Sequence, residues 1–172
     1  MKFIFNTLYD MEALTVMARA VRKTGNKKIL KIKKIYVIVM CVLLVLMTAL
    51  ALLLKEFTFK MFLMMAATIA IFAFMKFEDR FNAFIASKRM LKGAEKGVVT
   101  FYDDHYISET EIGTTDFKYN VIHTIARRGD YIVFVFPRRH AQVYDMRAMI
   151  NGTPKEFCEF IEEKTGKNIV KI

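Results

Sequence analysis

Residues 35–54 constrain this chain more than any other feature: they read IYVIVMCVLLVLMTALALLL, 20 residues without a charge. As a helix rising 1.5 Å per residue the run measures about 30 Å, the hydrocarbon thickness of a bilayer. Its only polar groups belong to Tyr36, Cys41 and Thr48. Each Leu, Ile or Val favours insertion by a few tenths of a kcal/mol, so the summed preference reaches several kcal/mol. A helix this apolar in a water-soluble core needs a much larger protein around it. Residues 35–54 are therefore predicted to be a first transmembrane helix.

A second apolar run follows at 57–77. Its uncharged centre, 61–75, is shorter, and Lys60 and Lys76 lie near its ends, where long side chains snorkel to headgroups. Lys55 and Glu56, with Phe57 and Thr58, leave only a short connection, and short loops force antiparallel neighbours. Ala66, Ala67, Ala70 and Ala73 supply small residues for close approach. The expectation is a transmembrane hairpin, 35–54 and 57–77.

Charge sets the expected orientation. Residues 1–34 hold nine Lys and Arg against Asp10 and Glu12, whereas 76–172 hold sixteen against fourteen acids. Basic residues border both runs and are scarce between them, so the positive-inside rule predicts cytoplasmic N- and C-termini and two spans in the cell (inner) membrane. Residues 1–30 lack the apolar centre of a signal peptide. Because the excess charge sits on the segment entering the apolar run and not on the folded domain, no nucleic-acid partner is expected. The lipid bilayer is the expected partner, together with a protein partner or self-association through the hairpin.

The remaining segments read as folded protein. In 1–34, KFIFN suggests a short strand; Thr7 is placed as a helix cap, and Leu8, Met11, Leu14, Ala18 and Val21 form an apolar stripe at helical spacing. The stripe needs a cover, either the membrane surface or the C-terminal domain, with the second favoured. Residues 78–93 read as a connector helix. From Gly97 the period changes to two: 98–101, 106–112, 115–119, 121–126, 131–136 and 141–144 are predicted as about six antiparallel strands. Thr153-Pro154-Lys155-Glu156 is a capping box with Pro at the first helical position, and Gly166 is the stop. Residues 94–172 are thus expected to be a pleckstrin-homology-like sheet closed by a C-terminal helix. The fold class expected is an α+β membrane protein, a transmembrane hairpin plus this PH-like domain.

The whole chain resembles the YcxB-like family of small bacterial membrane proteins. The resemblance is carried by the order of elements, by Phe117-Lys118-Tyr119-Asn120-Val121-Ile122, by 131–136 (YIVFVF), by Ala141-Gln142-Val143-Tyr144-Asp145, and by Gly152, Glu156-Phe157 and Phe160-Ile161-Glu162-Glu163-Lys164. It departs from the family at Asp145-Met146 and at His105, where a lysine and a turn glycine are common. The resemblance implies a membrane-anchored domain and no particular reaction.

Chemistry-bearing clusters are sparse. Asp103, Asp104 and His105 pair two carboxylates with an imidazole, but neighbours in a turn point apart, and Asp suits turns for backbone reasons. His123 reads as structural. Cys158 has no evident source of thiolate activation, and a disulfide with Cys41 is not expected. No G-x-S-x-G, phosphate loop or zinc spacing occurs. No catalytic residue, metal or cofactor is assigned, and an enzyme is not expected. Candidate contacts to anionic headgroups are Lys31, Lys33, Lys34, Arg138 and Arg139. Arg127-Arg128 and Arg138-Arg139 are placed at opposite ends of one strand, too far apart to clamp one headgroup. The function expected is a non-enzymatic, membrane-anchored protein that offers its β-domain to a protein, peptide or headgroup. The alternative is an accessory or oligomeric subunit of a membrane transport system, disfavoured because the charged residues within the runs, Lys60 and Lys76, lie only near the ends.

Overall fold

The run Tyr131–Val135 (β6) is apolar at every position, and all five residues are buried. A strand of that kind needs cover on both faces. The computed structural model, which describes residues 3–25, 27–53 and 59–172 apart from the side chains of 27–30, 33, 34, 52, 60, 61 and 139, shows how both covers are supplied. Tyr131, Val133 and Val135 meet helix α1 (Met11–Thr24) through Ala13, Val16 and Ala20. Ile132 and Phe134 face the opposite way, into an aromatic core.

That core joins two sheets. The first has the order β1-β2-β3-β4, formed by Phe3–Leu8, Lys96–Phe101, His105–Thr110 and Gly113–Lys118, all antiparallel. The second has the order β7-β6-β5-β8, where β5 is Thr124–Arg128, β7 is Ala141–Asp145 and β8 is Ile169–Lys171, with β8 parallel to β5. Helix α4 (Pro154–Thr165) adds Phe157, Phe160 and Ile161. Phe101 meets Phe157 at 4.9 Å and Tyr144 at 5.4 Å, both edge-on, geometries worth about 0.5–1.5 kcal/mol per pair beyond area burial. Fully burying a side chain such as Phe157 contributes roughly 1.5–3 kcal/mol.

Local chemistry sets the ends of the helices. The Thr153 amide donates to Glu156 Oε2 (2.8 Å), the Glu156 amide donates to Thr153 Oγ1, and Gly166 closes α4 at φ 65°. In α1 the cap is Asp10, not Thr7: Ala13 N–H donates to Asp10 Oδ1 at 2.7 Å, while Thr7 lies in β1 and its hydroxyl donates to the Gly97 carbonyl. The buried face of α1 is also turned from the expected stripe. Leu8 and Met11 are exposed, and the small residues Ala13 and Ala20 let the helix approach sheet residues closely.

The chain divides into two compact units, residues 1–25 with 79–172, and residues 26–78. The second holds α2 (Lys27–Leu53) and most of α3 (Phe59–Arg89). Along α2 a face with Val37, Cys41, Leu44 and Thr48 is half-buried, while Ile35, Ile38, Val42, Leu46 and Leu50 are exposed on another side. Thr48 and Thr68 donate their hydroxyls to Leu44 and Met64 carbonyls one turn back, which removes them as free polar groups. A shallow apolar groove between the helices is lined by Leu44, Val45, Ala49, Met65 and Ile69.

Two expectations are corrected here. Among the described residues no helix is long and apolar enough to cross a membrane. In α3 the stretch 62–75 rises about 21 Å and then meets Lys76, Glu78, Asp79 and Arg80. The transmembrane spans 35–54 and 57–77, the inner-membrane placement and the cytoplasmic termini that depend on them are not supported, nor is a description as a membrane or transmembrane protein. The loop of Lys55, Glu56, Phe57 and Thr58 lies outside the described residues.

The second correction concerns the β-region. The single curled meander of a PH-like domain is not confirmed. A 3-10 turn at Tyr119–Val121 separates β4 from β5, and the strands fall into two sheets. The N-terminal β1 joins the first sheet, and β8 adds to the second in parallel; neither pairing belongs to a meander.

Candidate functional site

Every sheet ends in strands whose outer N–H and C=O groups need partners, and those partners are the informative question here. The outer side of β1 is covered: Ile150 N–H donates to the Ile4 carbonyl, and Ile4 N–H donates to Asn151 Oδ1, both at 2.8 Å. At β7 the Val143 backbone meets the Tyr9 phenol, which burial pushes up to about 12. The β8 edge is only three residues long. The remaining edge is β4, six residues with no strand beside it among the described residues.

The geometry of β4 follows from its hairpin. Glu111 and Ile112 form a two-residue turn between Thr110 and Gly113. Such turns close on a hydrogen-bonded pair, and antiparallel pairs then alternate. Gly113, Thr115 and Phe117 therefore bond to β3, and the N–H and C=O groups of Thr114, Asp116 and Lys118 turn outward. Phe117 anchors the strand, stacked on Tyr106 at 5.1 Å and on Phe136 at 5.9 Å. Side chains alternate across a strand, so Thr114, Asp116 and Lys118 share the solvent face. All three are exposed, and Asp116 and Lys118 make no ion pair among the described residues.

Beneath β4, Tyr106 is held by a polar pin inside the core. Tyr106 and Tyr144 both donate their hydroxyls to Gln142 Oε1, at 2.9 and 2.7 Å. Burial raises the pKa of both phenols, so they stay protonated donors. Tyr119, just past β4, donates to the Tyr102 carbonyl at 2.6 Å and fixes the end of the strand.

The residues singled out in the sequence lie elsewhere and do not converge. Asp104 Oδ1 and His105 Nδ1 are 2.7 Å apart, and that contact lowers the Asp104 pKa. His105 stacks on Tyr102, and Asp103 faces Lys164 at 3.7 Å. Among the described residues no group of three His, Cys, Asp or Glu is arranged to hold a metal. His123 is exposed. Cys158 and Cys41 are free thiols; burial raises the Cys158 pKa despite Arg127 Nη1 at 3.7 Å. Lys31 is exposed on α2, and Arg138 is exposed with a left-handed φ of 60°. The side chains of Lys33, Lys34 and Arg139 lie outside the described residues. Arg128 pairs with Tyr131 at the start of β6 and Arg138 follows its end, about 17 Å away along a five-residue strand.

One buried charge was not singled out in the sequence. Asp79 of α3 accepts from Arg22 Nε and Nη2 at 2.7 and 2.8 Å and from Arg19 Nε at 2.9 Å. The arginines sit three residues apart on α1, the spacing that brings two side chains to one face. Burial raises the Asp79 pKa, but the hydrogen bonds and charges of the two arginines together outweigh it, and the net shift is downward.

No family model matches the chain, and no curated protein matches it. A solved structure described as "Structure of the Spt16D Pob3N heterodimer" is similar at 9% identity, covering 47% of this chain and 47% of that one, with a TM-score of 0.32. The chain thus spans about half the length of that structure's chain. At that score the likeness carries no argument.

Proposed function

We propose that this chain is a non-enzymatic interaction protein that takes up an extended segment of a partner along β4. The open β4 edge carries the reading. It offers three outward N–H and C=O pairs on a strand anchored by Phe117, and strand addition to such an edge supplies main-chain hydrogen bonds for affinity and alternating side chains for specificity. Natural sheets blunt their edges with prolines, bulges, covering loops or charged side chains, and of these β4 carries the last, Asp116 and Lys118. Here β4 has no proline and no cover among the described residues, and its threonines favour pairing.

The apolar unit formed by α2 and α3 serves in this reading to hold the protein against lipid. A helix apolar on all sides requires an apolar surround, and the self-bonded hydroxyls of Thr48 and Thr68 suit one. The association proposed is contact with acyl chains, without a crossing.

Two measurements test the proposal. Replacing Thr114 by proline removes an outward N–H while leaving the pairing to β3, so it should abolish capture of an extended peptide by the full chain. Flotation with neutral vesicles should carry the protein to the lipid fraction. Unchanged capture by Thr114→Pro defeats the edge reading, and protein remaining in the aqueous fraction defeats the lipid reading.

A further inference from the structure

The solvent face of β4 carries two charges that nothing in the described structure answers. Asp116 stands opposite Ile107 of β3, and Lys118 stands opposite His105. Neither forms an ion pair among the described residues. Their backbone groups are also the ones turned outward, so an added strand meets Asp116 and Lys118 as directly opposed, hydrogen-bonded pairs. Directly opposed opposite charges stabilise a sheet, and like charges destabilise it.

We propose that the segment β4 takes up carries an acidic residue, then an aromatic or β-branched residue, then a basic residue, and that it lies antiparallel. This rests on the edge reading above. Every pairing in the first sheet is antiparallel, and an antiparallel newcomer meets Lys118 before Asp116 along its own chain. Its acid therefore comes first and its base two residues later. The residue between them lies opposite Phe117, on the side where the half-buried rings of Phe117 and Phe136 present apolar surface.

A second copy of the chain offers the same order at Asp116-Phe117-Lys118. Self-pairing in that register gives only three opposed pairs, because each strand ends at Lys118 and continues into the 3-10 turn. A free peptide extends along all six residues of β4, so it is the favoured occupant.

The test uses the full chain in detergent and two labelled nine-residue peptides of identical composition, one centred on Glu-Phe-Lys and one on Lys-Phe-Glu, followed by fluorescence anisotropy. The acid-first peptide should bind at least tenfold more tightly. The double exchange Asp116→Lys with Lys118→Asp, both exposed positions, should reverse the preference. Equal affinities in the original chain, or an unreversed preference after the exchange, overturn the charge order while leaving the edge intact. If the acid-first peptide binds Thr114→Pro as well as it binds the original chain, the edge reading itself is wrong. Failure of both peptides to bind defeats both inferences, and a dimer formed through β4 in place of peptide binding overturns the choice of occupant.

Discussion

Arg22 grips Asp79 with two parallel hydrogen bonds, and this contact ties the N-terminal helix to α3 beyond the apolar unit. Asp79 is 8% exposed while its arginines retain about a third of their exposure, so a broken contact leaves cations that still reach water. Asp79→Ala should therefore cost about 1–3 kcal/mol, below the figure for a fully buried pair. The sign with pH is fixed by the lowered pKa of Asp79. Its contribution is complete above the ordinary aspartate value of 3.8 and is lost as pH falls below that toward the folded-state value. Urea unfolding of the two proteins at pH 7 and near pH 2.5 should show the difference shrinking in acid; a gap of equal size at both would refute the assignment.

Gly152 sits at φ 82°, and a Cβ there would lie 2.5 Å from Phe3 Cε1. Both the left-handed backbone and the crowding oppose any side chain. Gly152→Ala should lower stability by about 1–3 kcal/mol by thermal unfolding. A neutral result would show that the turn before α4 shifts freely away from β1.

Gln142 accepts from two buried phenols, so Gln142→Leu leaves both Tyr106 and Tyr144 without that acceptor. The loss should be about 2–6 kcal/mol, given a cost of roughly 1–3 for each buried donor left unmade. Replacing both tyrosines by phenylalanine in the Gln142→Leu background should recover part of it. Measured unfolding energies that show no recovery would mean that packing, not the paired hydroxyls, sets the cost.

Elements with a local cause were the easiest to read in the sequence. The Thr153–Glu156 box and Gly166 mark α4 because a cap is decided within four residues. The strand at 131–136 was legible, but its period-two reading did not show that both faces are covered, since all five residues of β6 are buried. Sheet membership is a different matter: β1 pairs with a strand some 90 residues away, and β8 returns parallel to β5, neither of which has a local signature. The cap of α1 was misplaced because Thr7 and Asp10 are both good caps, and the strand pairing of Thr7 decided between them. The stripe on α1 was legible at Leu14, which is buried, and wrong at Leu8 and Met11, because large residues were weighted over the alanines that make contact. Asp79 and Gln142 were invisible in the same way, since a lone acid or amide acquires meaning only from partners brought in by the fold. The strand at 115–119 was legible, but its position at an open edge was not.

The central claim is that β4 accepts a strand. Backbone amide hydrogen exchange on the full chain, with and without the nine-residue peptide centred on Glu-Phe-Lys, tests it most directly. Exchange should slow at the outward amides of Thr114, Asp116 and Lys118, with little change at β8. Unchanged exchange at those three positions, or protection confined to Ile169–Lys171, would contradict it.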